Sequence, residues 1–135
     1  MAGYSGTPLA KKLGFRAGHR VRTSNAPADY LALVSPRPDD VVISAALRKD
    51  IDIWHFFAKA EVALKKALPA MRSAIRQDGM IWISWPKKAS QVPTDMTEDV
   101  VRRHALPLGL VDVKVCAVDD VWSGLKLVIR KELRQ

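Results

Sequence analysis

The feature that most constrains the fold is a run of six residues, Met80 to Trp85, that is almost continuously apolar. A strand with one face in water alternates apolar and polar side chains, whereas a strand covered on both faces does not need to alternate. The run therefore predicts a central strand of a parallel sheet with helices packed on both sides. Asp78 and Gly79 precede it and predict a turn at its start.

The rest of the chain alternates strand patterns with helix patterns. The other predicted strands cover residues 20–24, 40–47, 51–57, 111–118 and 122–130. The predicted helices cover residues 7–14, 25–34, 60–75 and 95–108. The last two strands form a hairpin that turns near Asp119 and Asp120. This order predicts a single α/β domain over residues 1–135, with a mostly parallel sheet, helices on both faces and a C-terminal antiparallel hairpin.

Several helix ends carry recognisable signals. Thr7 is a candidate N-cap, Pro8 suits the first helical position, and Gly14 suits a left-handed ending. Pro69 interrupts the apolar stripe of the third helix, which predicts a kink or two short helices.

The fourth helix also carries a start signal. Asp95 is a candidate N-cap, with Glu98 three residues later as its capping-box partner. The spacing also predicts ion pairs from Glu98 to Arg102 and from Asp99 to Arg103.

Composition places the chain among folded proteins of the cytoplasm. Its 135 residues are 48% hydrophobic and 27% charged, which is enough apolar content for one continuous core. No apolar run is long enough to span a membrane, and residues 1–14 lack the apolar region of a secretory signal. Cys116 is the single cysteine, so the chain has no disulfide framework. We therefore expect a cytoplasmic protein with no membrane partner.

The net charge is +8, and the first part of the chain is basic. An acid-free block contains Lys11, Lys12, Arg16, Arg20 and Arg22. Such a surplus attracts phosphates, nucleic acid or acidic proteins. We interpret it as a solvated basic surface, because no helix-turn-helix or zinc-finger pattern accompanies it. A nucleic-acid partner remains the alternative.

The residues that most often carry chemistry are scattered. His19, His55 and His104 are far apart and have no cysteine neighbours, so we expect no metal site. His55 falls within a predicted core strand and is interpreted as structural. Cys116 is interpreted as a small buried apolar residue.

The chain resembles an uncharacterised bacterial family of unknown function. The pattern that carries the resemblance covers residues 4–14, 79–90, 93–99, 108–119 and 122–127. That family has no assigned activity, so the resemblance implies no chemistry.

A broader resemblance is to class I S-adenosylmethionine-dependent methyltransferases. Residues 13–21 are similar to the lead-in of that fold, and residues 68–83 to its helix and central strand. The resemblance implies a Rossmann-like, truncated methyltransferase-type sheet.

The functional motifs of the methyltransferase fold are missing. The turn after the first strand, residues 24–29, has no glycine and contains Pro27, although the cofactor requires close backbone approach there. The second strand ends in residues 43–47 without the acid that would hold a ribose. We therefore expect no cofactor.

The carboxyl ends of the predicted strands define the candidate site. Ligands of open α/β sheets bind at this edge, and six side chains are expected there around one depression: Asn25, Trp85, Lys87, Lys88, Asp119 and Trp122. Asn25 is also expected to head the helix that follows the first strand, where free amides attract anions. The expected ligand is an acidic small molecule or an acidic side chain of a protein partner.

These features favour a non-catalytic binding or interaction module. One alternative is an enzyme or nucleotide-type cofactor binder with a remodelled site at the same edge. The other is a basic nucleic-acid-associated protein.

Overall fold

The computed structural model describes residues 6–135, so Tyr4 and Ser5, which belong to the family pattern above, lie outside the described residues. The helices are α1 (Leu9–Leu13), α2 (Tyr30–Leu33), α3 (Glu61–Ala74) and α4 (Glu98–Ala105). The strands are β1 (Arg20–Ser24), β2 (Val42–Ser44), β3 (Ile51–Phe57), β4 (Ile75–Pro86), β5 (Leu110–Ala117) and β6 (Trp122–Ile129). Short 3₁₀ turns cover Lys88–Ser90, Leu106–Leu108 and Lys131–Leu133.

The six strands form one sheet in the order β2-β1-β3-β4-β6-β5. Strands β1 to β4 are mutually parallel, whereas β6 is antiparallel to both β4 and β5. The predicted α/β architecture, a mostly parallel sheet closed by an antiparallel hairpin, is confirmed.

Helices cover both faces of the sheet. On one face, α3 and α4 contribute buried Leu64, Leu68 and Val101 to the larger core cluster. On the other face, α1 and α2 contribute Leu13 and Tyr30 to a second cluster. We call these the α3/α4 face and the α1/α2 face.

Strand β4 is the shared wall of the two cores. Ile81, Trp82 and Ile83 have no exposed surface, which confirms that the apolar run is covered on both faces. The Trp82 indole Nε1 donates to the Leu13 carbonyl at 2.9 Å. This bond ties the end of α1 to the middle of the sheet.

Strand β4 starts earlier than the sequence predicts. It begins at Ile75, and residues 76–79 form a bulge between the pairs Ile51–Ile75 and Ile53–Met80. The predicted turn at Asp78 and Gly79 is therefore wrong, because these residues remain within the strand.

Close backbone packing at the bulge explains its glycine. A Cβ atom on Gly79 would lie 3.0 Å from the carbonyl oxygens of Arg76 and Asp52 and 3.1 Å from that of Ile51. Backbone carbonyls cannot swing aside as a flexible side chain can, so only glycine fits without a shift of the strand.

Helix α3 is a single element despite Pro69. Leu64 and Leu68 before the proline and Met71 after it are fully buried, while Pro69 lies on the exposed side. Packing of the apolar stripe thus outweighs the lost backbone hydrogen bond, and the prediction of two short helices is wrong.

Two predicted N-caps are misplaced. Helix α4 is capped by Thr97, whose side chain accepts a hydrogen bond from Val100 N at 3.1 Å. Asp95 instead accepts from Glu61 N at 2.7 Å, at the start of α3. Helix α1 follows Pro8 as its N-cap residue, so Thr7 does not cap it, whereas Gly14 has the predicted left-handed conformation.

The predicted pair between Glu98 and Arg102 is confirmed at 2.6 Å. The pair between Asp99 and Arg103 does not form. Asp99 contacts Arg102 instead, and Arg103 contacts Glu61 of α3 at 3.0 Å. Arg103 thus takes a tertiary partner, whereas Asp99 takes a nearer one on its own helix.

The bulge supplies a stability test. Gly79→Ala should lower the free energy of unfolding by about 2 kcal/mol, because the added methyl meets three carbonyl oxygens. Asp78→Ala is the matched control in the same bulge. Its side chain is 80% exposed and 3.7 Å from Arg76, so its effect should stay within about 0.5 kcal/mol. Urea denaturation measures both, and equal losses would contradict the packing argument.

Candidate functional site

The carboxyl ends of β1 to β4 lie at one edge of the sheet, here called the carboxyl edge. Strand β6 starts at this edge, because Trp122 pairs with Pro86, and β5 ends there opposite Ser123. Lys87 N donates to the Val121 carbonyl at 2.7 Å, which joins the end of β4 to the hairpin turn. All six predicted site residues come from segments at this edge.

The two tryptophans at the edge lie on opposite faces of the sheet. Trp85 is buried in the core cluster of the α3/α4 face. Trp122 packs on the α1/α2 face, where its ring meets Phe57 edge-on at 5.1 Å. Paired residues of antiparallel strands share a face, and Trp85 pairs with Ser123 rather than with Trp122. The two rings therefore share an edge of the sheet without lining a single depression.

A depression of about 600 Å³ opens on the α3/α4 face of the edge. We call it the rim depression; it is lined by Trp85, Pro86, Lys87, Lys88, Thr94, Met96, Thr97, Glu98, Asp99, Arg102 and Ser123. Three of the predicted residues, Trp85, Lys87 and Lys88, therefore come together. Asn25 and Trp122 are not among its lining residues, and neither is Asp119.

Asn25 has a structural task at the end of β1. Its φ of 57° is left-handed, a conformation that asparagine tolerates better than most residues. Its Nδ2 donates to the Phe57 carbonyl at 3.4 Å, across the ends of β1 and β3. Helix α2 starts only at Tyr30 and has four residues, so the expectation that Asn25 heads an anion-binding helix is wrong.

Asp119 organises the hairpin turn. Its Oδ1 accepts hydrogen bonds from Val121 N and Trp122 N, both at 2.8 Å. This is the turn-residue role that an aspartate commonly has, and it leaves that oxygen occupied.

The charges around the rim depression are partly neutralised. Arg102 contacts Glu98 at 2.6 Å, Asp99 at 3.0 Å and Asp112 at 3.0 Å. The hydrogen bonds that Arg102 donates to Asp112 and Glu98 raise the pKa of its guanidinium above its usual value.

Lys87 and Lys88 are not neutralised in this way. Neither forms an ion pair within residues 6–135, and Lys88 is exposed. Together with Arg102, they give the lining three positive charges against the two negative charges of Glu98 and Asp99.

A buried polar network lies beneath the edge, on the α1/α2 face. Tyr30 Oη and His55 Nδ1 are 2.9 Å apart, and His55 Nε2 and Ser84 Oγ are 2.7 Å apart. His55 and Ser84 have no exposed surface, and the imidazole stacks on Phe57 at 4.3 Å. Burial lowers the pKa of His55 to about 3 and raises that of Tyr30. The three groups are neutral and shielded from water.

The sequence does not predict this network, because its members come from α2, β3 and β4. Ser84 is the one polar residue of the apolar run, and that was the available signal. The structural interpretation of His55 agrees with its burial and its two hydrogen-bond partners.

The remaining reactive groups form no centre of their own. His104 Nε2 contacts Glu61 Oε2 at 2.7 Å, which links α4 to α3. Burial raises the pKa of the Cys116 thiol, although Lys12 and Lys114 oppose the shift. Within residues 6–135, no group of three or more His, Cys, Asp or Glu side chains is placed to hold a metal ion. No helix in the same range is long and apolar enough to cross a membrane.

Several solved structures with a similar fold are methyltransferases. An S-adenosylmethionine-dependent methyltransferase from Clostridium acetobutylicum superposes with a TM-score of 0.61 at 7% identity, over 90% of this chain and 87% of that one. A protein of the NAD-binding Rossmann superfamily from Streptococcus agalactiae gives a TM-score of 0.58 at 9% identity, over 96% and 71%. A ribosomal protein L11 methylase from Lactobacillus delbrueckii gives 0.51 at 14% identity, over 90% of this chain and 62% of that one.

The chain has a methyltransferase-like Rossmann fold. The fold-level resemblance noted from the sequence is thereby confirmed, and identities this low establish the fold alone. No protein-family model and no curated protein matches the sequence, so the resemblance to an uncharacterised bacterial family stays a prediction.

The side chains at the ends of β1 and β2 form hydrogen bonds within the protein. The Ser24 hydroxyl at the end of β1 accepts from the Trp54 indole at 2.9 Å. At the end of β2, the Ser44 hydroxyl accepts from Ala46 N at 3.0 Å within its own turn. Polar groups at both strand ends are thus engaged by the protein itself.

The buried network predicts a pH dependence of stability. The pKa of His55 is about 3 in the folded state against 6.5 as its ordinary value, so His55 stays neutral on folding while the unfolded chain binds a proton. Its stabilising contribution is present above pH 6.5 and is lost as the pH falls towards 3. Urea denaturation should show a loss of up to about 1.4 kcal/mol per pH unit from this group.

Substitutions distinguish the contribution of His55 to this pH dependence from those of other titrating groups. His55→Gln should flatten this part of the pH profile, whereas His19→Gln, at a partly exposed position, should retain it. An unchanged slope in His55→Gln would contradict the assignment.

Proposed function

We propose that the protein is a non-catalytic binding module built on a methyltransferase-like fold, and that it takes an acidic ligand at the rim depression. The ligand is an acidic small molecule or an acidic side chain of a protein partner. The observation that carries the proposal is the turn after β1, which contains Asn25 and Pro27 and has no glycine.

Cofactor binding to this fold needs a backbone that approaches the ligand closely after β1. Here Pro27 supplies no amide donor, and the Asn25 side chain bonds to Phe57 O across the neighbouring strand end. The end of β2 has a serine that accepts from Ala46 N instead of a free carboxylate. These features support the absence of S-adenosylmethionine binding.

The choice of an acidic ligand rests on the charge balance of the rim depression. Glu98 and Asp99 contact Arg102, and the lining as a whole has three cations against these two carboxylates. Lys87 and Lys88 present two ammonium groups beside the partly apolar wall formed by Trp85 and Met96. A carboxylate attached to an apolar body complements both parts of this surface.

We predict that the protein does not bind S-adenosylmethionine or S-adenosylhomocysteine. Isothermal titration should give no saturable heat at micromolar concentrations, with a functional class I methyltransferase as the positive control. Saturable micromolar binding would overturn the non-catalytic proposal and favour the remodelled cofactor site.

The lysines of the rim depression supply a second test. Citrate titrated into labelled protein should shift the NMR signals of Lys87, Lys88 and Ser123, and Lys87→Ala with Lys88→Ala should abolish the shift of Ser123. The melting temperature should stay within about 2 °C, because Lys88 is exposed, Lys87 is only partly buried and neither forms an ion pair within residues 6–135. Lys65→Ala with Lys66→Ala, an exposed pair on α3, is the charge-matched control. A large loss of melting temperature would instead assign Lys87 and Lys88 to the fold.

A further inference from the structure

The basic block of the sequence does not form one surface in the fold. Arg20 and Arg22 belong to β1. The Arg22 guanidinium lies 4.2 Å from the Trp54 ring centroid and donates to the Leu47 carbonyl at 2.7 Å. Arg16, by contrast, follows α1 and is exposed. Arg22 therefore departs from the interpretation of the block as a solvated basic surface, because its guanidinium is engaged by the fold.

Two further cations join Arg16 from the C-terminal hairpin. Lys114 of β5 and Lys126 of β6 are directly paired across the antiparallel ladder. Lys126 lies between Leu125 and Leu127, both in the core of the α3/α4 face, so it points to the opposite face. Like charges placed directly opposite each other destabilise a sheet. The fold thus retains an unfavourable pair of ammonium groups.

The positive charges are close enough to influence each other. Burial lowers the pKa of Lys126, and the charges of Lys114 and Arg16 lower it further. Lys12 and Lys114 both act on the neighbouring Cys116 thiol. Within the described residues, Arg16, Lys114 and Lys126 form no ion pair.

A groove of about 360 Å³ runs beside these cations. Arg16 and Lys126 line it together with Gly14, His19, Met80, Asp52 and Asp78. The two carboxylates are already engaged, since both contact Arg76, at 3.6 Å and 3.7 Å. With Arg76 and Lys114 included, four cations lie around these two carboxylates, so the surface keeps a surplus of positive charge.

We propose that Arg16, Lys114 and Lys126 form a contact surface for the phosphate backbone of a nucleic acid. An array of phosphates relieves the repulsion between the paired lysines and is contacted typically by lysine and arginine. Protein interfaces, in contrast, are depleted in lysine, which argues against an acidic protein. Recognition through charge alone is independent of base sequence. This proposal does not rest on the one above, because it uses the other face of the sheet.

Fluorescence anisotropy with labelled duplex DNA and single-stranded RNA over a salt series tests the proposal. Wild-type binding should weaken linearly with the logarithm of salt concentration. Lys114→Ala with Lys126→Ala should reduce affinity about tenfold or more at low salt and lower the slope for duplex DNA by about two, one per lost phosphate contact. Arg16→Ala, an exposed substitution outside the sheet, should lower the slope by about one. Which probe binds more tightly identifies the kind of nucleic acid.

Lys65→Ala with Lys66→Ala removes the same charge from α3 and should leave affinity and slope close to wild type. An equal loss in this control would overturn the proposal, because net charge alone would then account for binding. It also fails if neither nucleic acid binds at low salt, or if polyglutamate binds as tightly as DNA. Folding is checked by melting temperature, which removal of a like-charge pair should leave unchanged or raise. If Lys114→Ala with Lys126→Ala lowers the melting temperature, two single variants decide instead. Arg16→Ala should then lose affinity for nucleic acid, and Lys126→Arg should retain it.

Discussion

The structure depends on burying β4 between two cores. β4 pairs with β3 on one side and with β6 on the other, so its backbone hydrogen bonds are satisfied in both directions within the sheet. Ile81 and Ile83 pack under α3 and α4, while Trp82 packs under α1. Because the strand has no solvent face, every other element is placed by how it covers β4 or extends its sheet. The apolar run that dominates the sequence thus determines the layering of the whole domain.

The position of the carboxyl edge follows from the same arrangement. Parallel strands that share one core end together, and the hairpin returns its turn to that end because β6 runs antiparallel to β4. The edge has two sides, however, since the sheet separates Trp85 from Trp122. A candidate ligand surface on this fold must therefore be assigned to a face as well as to an edge.

The sequence predicts most of the fold because its strongest signals are local. The run from Met80 to Trp85, the β-branched and aromatic residues of β3 and the helical spacing of Leu64, Leu68 and Met71 each have one good explanation. The errors occur where distant partners compete. Asp95 has a good capping pattern for α4, yet it reaches Glu61 N of α3, and Thr97 takes the cap. Asp78 and Gly79 form a typical turn pair, yet the sheet absorbs them as a bulge.

The candidate site is predictable only in part. Topology alone places the six residues at one edge, but faces, occupied hydrogen-bond acceptors and charge pairing need coordinates. Arg102 shows the difficulty most clearly. Its pairing with Glu98 follows from spacing, whereas its contact with Asp112 on β5 depends on how α4 packs against the sheet.

The network of Tyr30, His55 and Ser84 also bears on strand alignment. A nearly all-apolar strand such as β4 specifies its register weakly, because several alignments bury similar side chains. In the observed alignment, the His55 imidazole finds a hydroxyl on each side. A shift by one residue would turn Ser84 to the other face of the sheet and leave a buried imidazole nitrogen unsatisfied. The hydrogen bonds among these three polar groups thus favour one alignment of β4 over others that would bury similar apolar side chains.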